Sequence, residues 1–260
     1  MKRTLLLTAA LLTAAIVALP GQQATNDANP LYRPTSIRMS TISVPPITGA
    51  PFSATALIKN QQILPDGSVA TSRNVNLIGR DSRGRTHGEM RSRVPESSRE
   101  MPPLSEVHIY DPQTRVGTIW YPATHIAVRR KQPGTPTTAN VAYTPNPLVK
   151  VEDLGTTTID HIDAKGTRRT VIIPAEANNT GAPIAVVDEY WYSEDLHVNL
   201  LLLHNDPRTG LQTVALTDIK REEPPQPFFE VPADYKIVDL TPPQGAPVQP
   251  ARMAPGSSNP

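Results

Sequence analysis

Apolar and polar residues alternate along most of this chain, which is the pattern of strands that bury one face. The clearest example is the run Phe52–Leu64, which leads into the turn sequence Pro65-Asp66-Gly67 and is followed by the run Val69–Arg80. No stretch keeps a period of 3.6 residues over three turns, so long helices are not expected. The helical candidates are short and lie near Glu96–Glu100 and Phe228–Asp234.

Turn sequences rich in Gly, Asp and Pro separate the other strand-like runs. They are, in chain order, Asp81-Ser82-Arg83-Gly84, Asp111-Pro112-Gln113-Thr114, Asp163-Ala164-Lys165-Gly166 and Asp206-Pro207-Arg208-Thr209-Gly210. The last of these turns joins the run Leu196–Leu203 to the run Leu211–Ile219. We expect the strand that contains Leu196–Leu203 to begin at Trp191-Tyr192-Ser193. The pattern predicts a mainly β fold: a single curved antiparallel sheet, half-barrel or open-barrel-like, that runs as a meander with few short helices.

An aromatic segment follows the last of these runs. It contains Phe228, Phe229, Val231 and Tyr235. Because aromatic side chains bury a large apolar area, this segment is expected to close the core as a structural plug.

The N-terminus has the pattern of a secretory signal peptide, assigned to residues 1–24. Lys2-Arg3 precedes the apolar run Thr4–Leu19, which Pro20-Gly21 ends. The run is shorter than the roughly 20 residues that span a bilayer, so we expect cleavage near Ala24. Membrane contact is expected only through this segment if it stays uncleaved. The chain has no cysteine, so it is predicted to be a periplasmic or secreted bacterial protein without disulfides.

Proline accounts for 29 of the 260 residues, about twice the usual share of roughly 5%. Much of it lies towards the two ends of the chain, where apolar residues are too few to offset the entropy of ordering. We therefore predict a Pro-rich linker over residues 25–51, one antiparallel β domain over 52–240 and a disordered Pro-rich tail over 241–260.

The net charge of the chain is +1, which argues against nucleic acid as a partner. The two halves nevertheless differ in sign. Residues 73–131 contain 11 Lys and Arg against 6 Asp and Glu, whereas residues 150–240 contain 8 against 16. We favour complementarity within one sheet, and a polar surface for a partner is the alternative.

No motif in the sequence carries catalytic or metal-binding spacing. The six histidines form no HxxxH, HxH or HExxH pattern, and cysteine is absent. The nucleophile motif GxSxG and a Gly-rich phosphate loop are also missing. The sequence therefore predicts no metal, no cofactor and no catalytic residue.

Two groups of side chains are the candidates for contact with a ligand or partner. Arginine presents two parallel donors to carboxylates and other anions, and a cationic ladder with His87 and Glu89 follows one predicted strand. The candidate contact residues are the cations Arg80, Arg83, Arg85, Arg91 and Arg93 and the aromatic residues Trp191 and Tyr192. The alternatives are a solvated strand face for the cations and a place in the core for the aromatics.

Several motifs resemble, in order and spacing, a family of exported bacterial proteins of unknown function. They are Leu64-Pro65-Asp66-Gly67, Arg80–Arg85, Asp153-Leu154-Gly155, Thr167-Arg168-Arg169-Thr170, Trp191-Tyr192-Ser193, Asp206–Gly210 and Val231-Pro232-Ala233-Asp234-Tyr235. More remotely, the pattern is similar to the periplasmic lipoprotein-carrier (LolA-like) superfamily, whose half-barrels hold acyl chains in an apolar concavity. Those carriers close the barrel with helices, which this sequence does not predict.

Three classes of function remain open. The first is a non-catalytic binding or scaffold module with an unknown envelope partner. The second is a carrier of an apolar, acyl-like or lipid-like ligand, and the third is a hydrolase whose site is assembled from distant strands. A hollow lined by apolar side chains would favour the carrier, whereas a filled interior would favour the scaffold.

Overall fold

The computed structural model describes residues 41–133, 146–177 and 181–241 of the chain. Nearly all regular structure in these residues is β. The strands are Phe52–Ile63 (β1), Val69–Arg80 (β2), Thr86–Arg91 (β3), Val94–Pro95 (β4), Leu104–Asp111 (β5), Val116–Tyr121 (β6), Ile126–Lys131 (β7), Val149–Ile159 (β8), Ile162–Ile173 (β9), Ile184–Ser193 (β10), Val198–Asp206 (β11), Gly210–Lys220 (β12) and Lys236–Asp239 (β13). Two 3₁₀ helices, Ala175–Ala177 and Gln226–Phe229, complete the described elements. No helix in these residues is long and apolar enough to span a membrane.

The strands form one open sheet, which confirms the predicted fold class. Its order is β13-β7-β6-β5-β3-β2-β1-β12-β11-β10-β9-β8, with β4 paired to β2 off this path. The strand β1 lies at the centre, the following strands run outward to β7, and β8 resumes at the opposite edge, from which the strands return to pair β12 with β1. The sheet is therefore two antiparallel meanders joined at β1 and β12, and among the described strands only β13 pairs in parallel, with β7. Strands from the basic and the acidic half lie in the same sheet, as expected.

One predicted turn is wrong. The residues Asp163–Gly166 lie inside β9, and the chain reverses instead at Asp160 and His161. Both residues have a positive φ, 48° and 63°. A two-residue reversal of this kind matches the twist of the flanking strands, and Asp accepts the left-handed conformation better than most residues.

Two further local predictions are also corrected. Trp191-Tyr192-Ser193 ends β10 rather than opening β11, because the chain reverses at residues 194–197 with His197 at a φ of 51°. The segment Glu96–Glu100 forms a turn and no helix, whereas a 3₁₀ helix does occur at Gln226–Phe229. The strands β4, β7 and β13 were not predicted: β4 and β13 are too short for a clear alternation, and β7 ends in three successive cations rather than alternating.

The main core lies on the face of the sheet that carries alternate residues of β1. Phe52, Ala54, Ala56 and Ile58 are all at most 1% exposed. Buried residues of β2, β9, β11 and β12 and of the β10–β11 turn join them in one cluster. We call this side of the sheet the core face.

Part of the predicted linker contributes to this core. Ile42 lies within the segment 25–51, yet it is 2% exposed and belongs to the main cluster, with Val44 packed beside it. The predicted signal peptide 1–24, the rest of the linker up to residue 40 and residues 242–260 of the predicted tail lie outside the described residues. Those assignments stay predictions.

The aromatic segment packs on the opposite face, which we call the back face. Phe229 is 6% exposed and forms a second cluster with Val107 and Ile109, against which Phe228 also packs. Tyr235 is only half-buried, and its ring lies 4.9 Å from that of His125. The predicted plug thus consists mainly of the two phenylalanines.

Gly79 of β2 lies directly under this plug. A Cβ at this position would come 2.7 Å from the carbonyl oxygen of Phe52 and 2.9 Å from a ring carbon of Phe228. We therefore expect Gly79→Ala to lower the free energy of unfolding by about 2 kcal/mol through overpacking. The matched control is Gly88→Ala, because a Cβ at Gly88 would meet nothing within 4 Å. Urea denaturation of both variants measures the difference, and equal midpoints would contradict the prediction.

Candidate functional site

Arg80, the first of the predicted contact residues, is fully buried. Its guanidinium donates hydrogen bonds to the carbonyl oxygens of Ala50, Pro45 and Leu196 at 2.7–3.0 Å. It also lies 5.3 Å from the ring centre of Phe52. Burial lowers the pKa of Arg80 to about 10, so the side chain stays charged at neutral pH. In this position Arg80 joins three separate segments of the chain.

The neighbouring cations Arg83 and Arg85 surround the buried carboxylate of Asp81. The Nε atoms of Arg85 and Arg83 lie 2.6 Å and 3.5 Å from its Oδ2 atom. Burial by itself would raise the pKa of Asp81, but hydrogen bonds from Arg85 and the two positive charges bring it below its usual value. Arg85 also donates to Gln226 and lies 4.6 Å from the ring centre of Phe229, so it helps to hold the plug.

Arg91 and Arg93 differ in their surroundings. Arg91 donates to Glu89 at 2.8 Å and to the carbonyl oxygen of Pro102 at 3.0 Å, whereas Arg93 lies after β3 and is exposed. His87, which alternates with Arg85 and Glu89, is 7% exposed under Phe228. The predicted ladder is therefore not a free row of cations, although a contact role for its members stays a prediction.

The two aromatic candidates lie at the end of β10. Tyr192 is 6% exposed, and its hydroxyl lies 3.4 Å from Nδ1 of His197. Trp191 is half-buried against the main core, with its ring over Gly166, where a Cβ would come within 2.6 Å. Tyr192 lies close enough to the buried Arg80 for the two side chains to interact electrostatically. A ligand role for Trp191 and Tyr192 stays a prediction.

A row of polar side chains, all buried except for Arg169 at one end, crosses the core face at one level and was not predicted. Its members are register partners in turn: Asn60 of β1, Gln212 of β12, His204 of β11, Asp188 of β10 and Arg169 of β9. Gln212 donates to Asn60 at 2.8 Å, and Nδ1 of His204 lies 2.6 Å from Asp188. Arg169 lies 3.6 Å from the other oxygen of Asp188. We call this set the polar row.

The sequence did contain one signal for the polar row. In β1, β11 and β12 every second residue is apolar, and one polar residue continues this spacing beside the apolar series. These polar residues are Asn60, His204 and Gln212. Without the strand register, these residues cannot be placed at one level. The row also affects its surroundings, because burial and the charge of Asp188 raise the pKa of Tyr190 to about 12, despite the opposing charge of Arg169.

A cavity of about 1010 Å³ opens on the core face beside the main core. Its floor is formed by β3, β5, β6 and β7, and Ile42 and Val44 lie along one side. The central row of the floor runs through Ile78, Gly88, His108, Ile119 and Val128, which are successive register partners. Because Gly88 has no side chain and nothing lies within 4 Å of its Cβ position, the floor is open there.

The lining of the cavity is mixed in polarity. Met90, Ile119, Val128 and Tyr121 supply half-buried apolar surface. The polar groups are spread over the floor: His108 lies in the central row and is bonded at 2.9 Å to Glu106, which lies towards one end, and Arg130 lies at the other end. A volume of this size and such a lining are typical of sites for small molecules with an apolar part.

No group of three or more His, Asp or Glu side chains that could hold a metal ion occurs in the described part of the chain. Three His–acid pairs occur in this part of the chain: His204 with Asp188 in the polar row, where both residues are at most 6% exposed, and the more exposed pairs His108 with Glu106 at 2.9 Å and His125 with Asp234 at 2.8 Å.

Neither a protein-family model nor a curated protein matches this chain. Among solved structures, it is similar to an uncharacterized conserved protein from Thermus thermophilus, with a TM-score of 0.38 and 11% identity over 73% of this chain and 90% of that one. The MucA/MucB complex of Pseudomonas aeruginosa gives a TM-score of 0.38 and 12% identity over 72% of this chain and 58% of that one.

A LolA superfamily protein from Nitrosomonas europaea is a further structure of this kind, with a TM-score of 0.28 and 12% identity over 70% of this chain and 90% of that one. This is the superfamily to which the sequence pattern is remotely similar. The scores are too low for what any of these proteins binds to be transferred to this chain. The resemblance to a family of exported proteins also stays a prediction.

Proposed function

We propose that this protein is an exported, non-catalytic binding module of the bacterial envelope that takes a small molecule with an apolar part into its cavity. The observation that carries the proposal is the cavity of about 1010 Å³ on the core face. The proposed location depends on the signal-like N-terminus, Lys2-Arg3 followed by an apolar run.

The core face of the sheet combines features that are expected of a scaffold with features that are expected of a carrier. Between β1, β11 and β12 the core face is filled, and Leu200, Val214 and Ala56 are fully buried. Over β3, β5, β6 and β7 the same face is hollow and half-apolar. The hollow half supports ligand binding, and release of the ligand to an envelope partner would make the protein a carrier. The His204–Asp188 pair gives no support to the hydrolase alternative, because a substrate cannot reach these buried side chains.

Filling the cavity should weaken ligand binding without unfolding the sheet. We expect the purified protein to bind the neutral fluorescent probe N-phenyl-1-naphthylamine with a Kd on the order of micromolar. Gly88→Phe should weaken this binding at least about tenfold, because the ring would enter the open space above β3. Fluorescence titration measures both values.

Thr157→Phe is the matched control, because Thr157 is an exposed position of the edge strand β8, far from the cavity in the sheet order. It adds the same ring to a strand but should leave probe binding unchanged. Equal affinities for the wild type and Gly88→Phe, with both proteins folded by circular dichroism, would contradict the proposed site.

A further inference from the structure

One end of the cavity floor carries polar groups around a gap in the sheet surface. Thr86, Tyr110, Gly117 and Arg130 are successive register partners across β3, β5, β6 and β7. Gly117 leaves a space between Tyr110 and Arg130, and the carboxamide of Gln132 occupies part of it, 2.8 Å from the position of a Cβ on Gly117. Hydroxyl, carboxamide and guanidinium groups thus border the same end of the cavity.

These groups have no partners within the part of the chain that the structure describes. No hydrogen bond or ion pair there involves the Arg130 guanidinium, the Gln132 carboxamide or the Tyr110 hydroxyl. The arginines of β2 and β3 differ in this respect. Arg73, for example, donates to two backbone carbonyls, and Arg91 is bonded to Glu89. Donors that lack protein partners beside a cavity can bind an acceptor on a ligand.

The cavity lining contains two acidic side chains, and both are bonded within the protein: Glu89 to Arg91 at 2.8 Å and Glu106 to His108. Glu106 is four residues before Tyr110 on β5, roughly 13 Å along an extended strand, and it is bonded to His108 at 2.9 Å. The half-buried apolar side chains Ile119 and Val128 lie in the row between the two ends. A ligand with its head at Arg130 would therefore lay its apolar part along these side chains and keep its charge away from Glu106.

We infer that the cavity takes a single-headed anionic amphiphile, with a carboxylate, sulfate or phosphate head on Arg130 and an apolar chain over Ile119 and Val128. Arginine can donate two parallel hydrogen bonds to such a head, and Gln132 and Tyr110 add neutral donors. The inference depends on the proposed function, because it names the ligand class of the same cavity.

The test is displacement of N-phenyl-1-naphthylamine by ligands that differ only in the head group. At about pH 8, where a carboxylate is fully ionised, laurate should displace the probe at concentrations about tenfold lower than monolaurin, its neutral glycerol ester. Inorganic phosphate and acetate, which carry a charge without a chain, should displace it only weakly. Arg130→Gln should remove the preference for laurate and leave the affinity for the neutral probe unchanged.

Arg93→Gln is the matched control, because it removes the same charge from an exposed site outside the cavity lining. It should retain the preference for laurate. Three results would overturn the inference while the proposed function stands. They are equal displacement of the probe by laurate and monolaurin, displacement by phosphate as strong as by laurate, and an equal loss of the preference for laurate in Arg130→Gln and Arg93→Gln. If the wild type binds neither the neutral probe nor either lipid, the proposed function fails with it.

Discussion

Arg80→Met should lower the free energy of unfolding by about 3–5 kcal/mol, measured by urea denaturation at neutral pH. The side chain is fully buried, and its removal leaves the carbonyl oxygens of Ala50, Pro45 and Leu196 without their donor. Methionine fills a similar volume but cannot donate a hydrogen bond. The large effect is therefore expected from the lost hydrogen bonds rather than from a cavity.

Arg83→Met is the control within the same sequence motif. Its side chain is 54% exposed and lies 3.5 Å from Asp81, so the change should stay within about 0.5 kcal/mol. Arg80→Lys adds a second comparison, because a lysine amine cannot reach three carbonyls in the fork geometry of a guanidinium and loses its proton more readily when buried. Similar unfolding midpoints for Arg80→Met and Arg83→Met would show that Arg80 does not hold these segments together.

The hairpins were predictable because short turn sequences determine them. Pro65-Asp66-Gly67 and Asp206–Gly210 both reverse the chain between long alternating runs, and both predictions hold. The prediction failed at Asp160-His161, where two non-glycine residues adopt a positive φ that cannot be predicted from their sequence. Lys165-Gly166 looked like a turn, but the glycine is needed there because the ring of Trp191 lies against it.

The candidate site was less predictable, because it depends on contacts between distant parts of the chain. Arg80 looked like a surface cation, yet its acceptors lie 30, 35 and 116 residues away. Gln212 and Asn60 of the polar row are 152 residues apart. The cavity depends on the register that places Gly88 beside Ile78. Alternation predicts which residues share a face of one strand, but only the strand pairing determines their neighbours.

The stability of the protein should depend on pH through His87, by about 3 kcal/mol between pH 6.5 and pH 4. Burial lowers the pKa of His87 to about 4, although the charge of Glu89 and the backbone of Phe228 act in the opposite direction. Among the described residues neither ring nitrogen has a hydrogen-bond partner of good geometry, and the ring stacks on Phe228 at 3.9 Å. The folded protein therefore resists protonation of this side chain.

The groups around His87 explain why protonation is costly. On the back face β5 presents the apolar side chains of Val107 and Ile109, and β2 presents Gly79. On β3 itself, Glu89 is bonded to Arg91, which reduces its ability to compensate a new charge. The 3₁₀ helix adds Phe228 and no acid, since its residues Gln226–Phe229 are uncharged.

The sign of the effect follows from the two pKa values of His87. The unfolded chain takes up a proton near pH 6.5 and the folded protein only near pH 4, so the stability is complete above pH 6.5 and falls as the pH drops through this window. The carboxylates of Asp81 and Asp206, whose pKa values are lowered from 3.8, reduce the stability of the folded protein only below this range.

His87→Phe keeps a ring against Phe228 but cannot titrate. Its unfolding free energy, measured by urea denaturation from pH 4 to pH 7, should change about 3 kcal/mol less than that of the wild type. Parallel curves for the two proteins would show that His87 takes up a proton equally well in the folded and the unfolded state. The stability of the protein would then not depend on pH through this side chain.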